Sequence, residues 1–243
     1  MTIEIGQIKA IFRYPVKSMA GEQLDTASLG WHGLEGDRRF AFRRTADQGG
    51  FPWLTAGRLP ELILFRPFRQ DHSSDNQTPT HVRTPEGRIL ELRGEELRAE
   101  IARRHGAEVQ LMQLNQGIFD AASVSLIASA TVLQISKESS RNLDIRRFRP
   151  NLFIETYGSE PFEEDNWVGK VMVFGENAKG GAVSVTLKDE RCAMINFDPE
   201  TAQADPSILK SVVRLNQNNA GVYGAVIGTG NLSIGQKIYL RSL

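Results

Sequence analysis

Apolar positions in the first half of the chain come in short runs filled by β-branched and aromatic residues, the pattern of strands. Ile3–Tyr14 opens the series, and Leu24–Leu29, Arg39–Arg44 and Leu62–Arg66 continue it across glycine-containing turns. The polar stretch Gln70–Thr80 has the composition of a surface loop. Val82–Thr84 and Ile89–Leu92 flank Pro85-Glu86-Gly87-Arg88, whose proline and glycine suit a tight turn, so this segment is expected to be a hairpin. Glu95–Arg104 changes period: Leu97 and Ile101 lie one helical turn apart with charges between them, and Gly106 is the stop.

Val109–Leu114 returns to strand, and from Val124 the positions Leu126, Ile127, Ala130, Leu133 and Ile135 mostly follow a helical period, with Ser123 placed to cap the start. Further strands are predicted at Asn151–Thr156, Lys170–Phe174, Val183–Leu187, Val222–Ile227 and Lys237–Leu240, with a helix at Ser207–Gln217. No internal repeat and no alternating βαβ series is visible. The expected class is therefore α+β, mostly β, with a mixed barrel rather than a doubly wound sheet. A weak compositional break near Gly117 divides the chain into an amino-terminal region, 1–116, and a core domain, 117–243.

The 29 basic and 29 acidic residues cancel, so no overall field draws the chain to nucleic acid or to an acidic membrane. Ala121–Ser136, an uncharged run, is too short and too polar to span a bilayer, and Met1–Ala10 is interrupted by Glu4 and Lys9. With one cysteine no internal disulfide can form, and a reducing cytoplasm is the expected location.

That cysteine, Cys192, follows a predicted strand and can project toward a cleft. Arg191 and Lys188 favour its thiolate while Asp189 and Glu190 oppose it, so local charge leaves open whether it is reactive or a small packing residue. Cationic residues recur beside turn residues: Lys17 in Tyr14-Pro15-Val16-Lys17-Ser18, Arg38 and Arg39 after Gly36-Asp37, and Arg146, Arg147 and Arg149 around Phe148 and Pro150. Such turns can aim guanidinium forks at phosphates or heterocycle edges, although single surface arginines more often solvate a face. Gly228–Gly235 lacks the full dinucleotide fingerprint and reads as a hairpin turn. His32, His72, His81 and His105 show no zinc-ligand spacing, and Ser123 and Ser125 sit in no nucleophile elbow.

Taken in order, these segments resemble the MOSC family, the carboxy-terminal domain type of molybdenum cofactor sulfurase, together with the amino-terminal β-barrel region of its two-part members. Tyr14–Ser18 and Gly33–Phe40 are similar to the amino-terminal signatures. Arg147–Asn151, Trp167-Val168-Gly169 and Arg191-Cys192 through Asp198-Pro199-Glu200-Thr201 are similar to the core signatures. The chain departs from the pattern at Phe40, at Ile195-Asn196 and at Ala202, where relatives have tryptophan, a threonine pair and glycine.

The resemblance implies a β-barrel core, a molybdenum cofactor held as molybdopterin, and Cys192 as molybdenum ligand and centre of the chemistry. Lys17, Ser18 and Arg38 would contact the cofactor from the first region, and Ser123, Arg149, Asn151 and Arg191 from the second. Amidoxime-reducing relatives make an oxidoreductase acting on small N-hydroxylated substrates the leading expectation. A cluster of the usual kind needs four cysteines, so no iron–sulfur cluster is expected, and electrons would come from a separate redox protein. Sulfur transfer through a Cys192 persulfide, without any pyridoxal-phosphate desulfurase domain in this chain, and a non-enzymatic cofactor carrier are the alternatives.

Overall fold

A computed structural model describes residues 2–70 and 78–242, so most of the polar stretch Gln70–Thr80 lies outside the described residues. Seven strands close into a barrel: β1 (Thr2–Arg13), β2 (Val124–Ala128), β3 (Leu152–Thr156), β4 (Lys170–Phe174), β5 (Ala182–Glu190), β6 (Asn219–Gly228) and β7 (Lys237–Ser242). Going round, the order is β1-β3-β2-β6-β5-β4-β7, and β7 returns to β1. Neighbours are antiparallel except β2 and β3, whose parallel pairing matches Leu126 with Leu152 and Ala128 with Ile154. The barrel is thus mixed, as expected.

Its interior is packed with Ile8, Ile11, Leu126, Leu152, Ile154, Met172, Phe174, Val183, Val185, Val222 and Ile238, all almost fully buried. At Gly6 the closing strands approach so closely that a Cβ would stand 2.2 Å from the Glu155 carbonyl oxygen, a gap no other residue type tolerates.

Around the barrel mouth sit the small sheets of the first half. Phe40–Arg44 pairs with Val109–Gln113, and Arg66–Phe68, His81–Arg83 and Ile89–Glu91 form a three-stranded meander, joined by helix α1 (Glu95–His105). Phe40, Phe42, Leu54, Phe65, Val82, Leu97 and Ile101 give this region its own core. Gly106 ends α1 in the left-handed conformation the sequence signalled. Helices α2 (Ser129–Ser139) and α3 (Ser207–Asn216) lie together outside the barrel on Ile127, Phe148 and Ala220.

Four sequence expectations are corrected. Val124–Ala128 is strand, not the start of a helix, and helix α2 begins only at Ser129. Every residue of β2 is buried, and a continuous apolar run carries no period that separates strand from helix. Ser123 accordingly caps nothing. Leu62 belongs to a 3-10 turn, Pro60–Leu64, started by its proline, and the strand follows at Arg66–Phe68. Leu24–Leu29 is broken at Asp25 into Glu22–Leu24 and Thr26–Gly30. Gly228–Gly235 is no simple hairpin turn: it contains the strand Gly230–Ser233, paired with Thr26–Gly30.

Helix α2 has no side-chain cap of its own, and a carboxylate from elsewhere serves it. Glu164, completely buried, accepts hydrogen bonds from the Ala128 N–H at 3.4 Å and the Thr131 hydroxyl at 2.8 Å. Burial pushes the Glu164 carboxyl up to about 7, against these hydrogen bonds, which pull it down. A carboxyl with a raised folded-state value favours folding fully below its ordinary 4.5 and loses that contribution as pH climbs through about 7. Urea titrations should therefore show wild-type stability falling between pH 4.5 and 7 by on the order of 3 kcal/mol more than in Glu164→Gln. Parallel pH curves for the two proteins would refute this.

Candidate cofactor site

Two turns from the first half bind one another before either meets the barrel. The Arg38 N–H donates to the Tyr14 carbonyl and the Lys17 N–H to the Phe40 carbonyl, each at 2.7 Å. Asp37, wholly buried, accepts from the Tyr14 N–H at 2.6 Å and from the Arg38 guanidinium at 2.5 Å. Ser18 and Arg38 both have left-handed backbone, φ 65° and 48°, which turns their side chains back toward the barrel mouth. The third turn, Arg147–Asn151, docks on the same structure. Arg38 donates to the Arg149 carbonyl at 3.1 Å and to Asn151 Oδ1 at 3.3 Å.

Together these turns wall a cavity of about 440 Å³ at the mouth of the barrel. Cys192, exposed, lines it, and so do Lys17, Ser18, Arg38, Arg149 and Arg191, six of the eight residues marked in the sequence. Asn151 and Ser123 do not line it. Asn151 is a buried brace whose side chain accepts from the Ser125 N–H and donates to the Phe12 carbonyl, holding β2, β1 and Arg38 in one place. Ser123 lies in the bend before β2, its carbonyl where a Cβ on Gly33 would collide at 2.6 Å.

Of the other marked cations, Arg147 also lines the cavity, while Arg39 is turned to the Asn115 carbonyl and Arg146 is held by Asp144 and Glu200. Asp120, Tyr223, Phe51 and Met194 also line the cavity, beside Asp189 and Phe148. Asp120, Tyr223 and Phe51 come from segments outside the signatures, and only the tertiary meeting of loop and strand brings them in, whereas Met194 lies inside the Arg191–Thr201 signature.

Arg191 prepares the position of Cys192. Its Nε donates to the Ala220 carbonyl at 2.6 Å, Nη1 to the Phe148 carbonyl at 2.8 Å, and its backbone N–H to Asn218 at 2.8 Å. Gly221, at φ 88°, makes room, since a Cβ there would stand 3.0 Å from the guanidinium and 2.6 Å from the Leu126 carbonyl. The residue before the thiol is thus fixed by three hydrogen bonds and an ion pair to Asp189 at 2.9 Å.

The electrostatics are those of an anion site. Arg149 and Arg38 lie on the buried Tyr14 ring, 4.2 and 4.9 Å from its centroid, so the ring quadrupole offsets part of their repulsion. Burial pulls Arg149 down to about 10, with Arg38 adding to the effect, yet it stays charged at neutral pH. Lys17 is likewise lowered by burial, partly restored by Asp120, whose carboxylate lies 2.7 Å from Nζ.

Three buried donors, Tyr14 Oη, Arg147 Nε and Arg149 Nη2, have no hydrogen-bond partner among the described residues. Unpartnered buried donors on cations are costly, and an anionic group with several acceptor oxygens would satisfy them. No group of three or more His, Cys, Asp or Glu side chains among the described residues could hold a bare metal ion. A single thiol instead suits a metal that arrives already chelated. The residues present fit the molybdenum cofactor on both counts.

The Asp198–Thr201 signature also finds its reason here. Arg147 donates to the Asn196 carbonyl and to Asp198, whose Oδ1 accepts from the N–H groups of Glu200 and Thr201. Ala202 then has φ 58°, the conformation that the glycine of relatives adopts without strain. Ala202→Gly should raise stability by about 0.5–1 kcal/mol, the relieved strain less the added chain entropy, read as a higher urea midpoint. An unchanged or lowered midpoint would show that Ala202 bears no strain.

Comparison with known proteins agrees with this geometry. The MOSC domain profile matches residues 102–239, more than half of the chain, and the MOSC N-terminal beta barrel domain profile matches 5–127. Mitochondrial amidoxime reducing component 2 of Rattus norvegicus is 27% identical over 133 residues, 49% of this chain and 37% of that protein, so well under half of the relative's length is spanned. The crystal structure of the YuaD protein from Bacillus subtilis superposes with a TM-score of 0.54 at 13% identity, covering 100% of this chain and 98% of that one, a likeness of fold. With the barrel, the signatures and the domain profiles in agreement, the chain belongs to the MOSC family.

Proposed function

We propose that the chain binds the molybdenum cofactor in the cavity at the barrel mouth and acts as an oxidoreductase that removes oxygen from small N-hydroxylated or similar substrates. MOSC domains are associated with this cofactor, and the partial match to an amidoxime reducing component favours the reductase chemistry. The observation that carries the reading is the convergence of an exposed thiol with buried, underpartnered cations on one cavity. When bound, the cofactor would supply two-electron redox chemistry at molybdenum.

The protein's own residues bind and orient. Cys192 would ligate the metal, with Arg191 holding the backbone beside it. Lys17, Ser18, Arg38 and Arg149 would hold the anionic end, Lys17 standing paired with Asp120. Phe51, Phe148 and Met194 supply apolar wall to the cavity. Electrons come from a separate redox protein.

Two outcomes are expected. Cys192→Ala, purified from a host that makes the cofactor, should lose most of its molybdenum and all reduction of a benzamidoxime with a chemical one-electron donor. A folded variant with full molybdenum and wild-type turnover would return Cys192 to a packing role. Arg149→Ala and Lys17→Ala should each weaken cofactor retention by about 1.5–3 kcal/mol per lost charged bond, seen as reduced pterin fluorescence after identical purification. Equal pterin content in all three proteins would move the binding site elsewhere. If wild type holds molybdenum yet reduces no substrate with any donor, the protein is a carrier or a sulfur-transfer protein.

A further inference from the structure

Reduction of an N–OH group consumes protons as well as electrons. In R–NH–OH + 2 H⁺ + 2 e⁻ → R–NH₂ + H₂O the N–O bond breaks, an N–H and an O–H bond form, and the electrons come from the external donor. The departing oxygen leaves as hydroxide unless an acid stands beside it. The inference that follows rests on the reductase reading above.

Asp189 is 2% exposed, yet it lines the same cavity as Cys192, three residues before it at the end of β5. Its Oδ2 accepts from the Ser125 hydroxyl at 3.3 Å and faces Arg191 Nη2 at 2.9 Å. Both contacts use Oδ2, and no donor among the described residues engages Oδ1. A carboxyl nearly sealed from solvent, with one oxygen anchored and the other uncommitted on the cavity wall, has the geometry of a proton donor to a bound ligand.

We propose that Asp189 holds and delivers the proton that the leaving oxygen takes up. The groups facing it from surrounding elements are Arg191, Ser125, Asp120, Arg38 and Tyr223. Burial pushes the Asp189 carboxyl up to about 6, against the opposing pull of Arg191 and of the Ser125 hydroxyl, so both protonation states are populated near neutrality. Neither neighbouring group shares that property. Burial raises Asp120, but the charge and hydrogen bond of Lys17, with the charges of Arg38 and Arg149, together hold it below its ordinary value. Burial followed by the charge of Asp189 drives Tyr223 far above neutral.

The test uses the molybdenum-loaded protein, a benzamidoxime and a chemical one-electron donor, with wild type, Asp189→Asn and Asp189→Glu. Wild-type kcat should fall as pH rises above the Asp189 value. Asp189→Asn should keep its molybdenum and pterin, lose roughly 100-fold or more in kcat, and lose the pH limb. Asp189→Glu should restore the limb at a shifted pH.

A second measurement needs no turnover. The infrared difference between cofactor-free wild type and Asp189→Asn should contain a protonated carboxyl band that titrates away around pH 6. Full cofactor with unchanged kcat and pH profile in Asp189→Asn would overturn the proposal while leaving the reductase reading intact. So would a carboxyl that stays ionised from pH 5 to 8. Loss of cofactor in both variants would make Asp189 a brace for Arg191 and overturn it as well. A wild type that holds molybdenum but turns nothing over would fell the reductase reading and this proposal with it.

Discussion

Repulsion among like charges is the constraint around which the barrel mouth is built. Lys17, Arg38, Arg147, Arg149 and Arg191 share the walls of one cavity, and taking such groups out of water costs several kcal/mol each unless it is offset. The fold offsets it unevenly. Arg38 has the sealed carboxylate of Asp37, Arg191 has Asp189, Arg147 has Asp198 and Lys17 has the solvent-facing Asp120. Arg149 has only a backbone carbonyl and the face of Tyr14. Arg147 and Arg191 also keep an unpartnered donor, but among the described residues Arg149 is the one of the five without a carboxylate partner. A site that must accept an anion has to be left short of negative charge, and the shortfall is borne by the surrounding packing.

That arrangement explains which parts could be read from the sequence. The turns Tyr14–Ser18, Gly36–Arg39 and Arg147–Asn151 carry local signals, namely prolines, glycines and residues in left-handed conformation, because each must present a side chain against its own backbone preference. Their convergence was legible only through family resemblance, since the hydrogen bonds joining the third turn to the first two span more than a hundred positions of chain, as between Arg38 and Asn151. Asn151, a cofactor contact by the resemblance, is buried and does not line the cavity. An asparagine next to a signature arginine looks the same in sequence whether it faces the ligand or props the arginine.

Secondary structure divided along a similar line. Helices α1 and α3 have one wet face, so their period survives in the sequence, and Gly106 ends the first of them. Strand β2 is buried on both sides, between the barrel interior and helix α2, and buried strands lose the alternation that would identify them. Asp120 and Tyr223 show the same limit for the site. One sits in a loop and one in a strand, and nothing nearby in sequence distinguishes them from ordinary surface and wall residues.

Barrel closure joins β1 to β3 and to β7, so residues 2–13, apart from the end that pairs with Glu22–Leu24, find their strand partners among 152–156 and 237–242. Contacts this remote form slowly, because the loop entropy is lost before any pairing energy is gained. On a translating ribosome the edge of the first strand that seals against β7 must wait while more than two hundred further residues are made. The turns that wall the cavity hang on β1, β2 and β3, and so reach their final spacing only late in this process. The cavity therefore takes its final shape only when the ring's last seam closes, and not as the residues lining it are made.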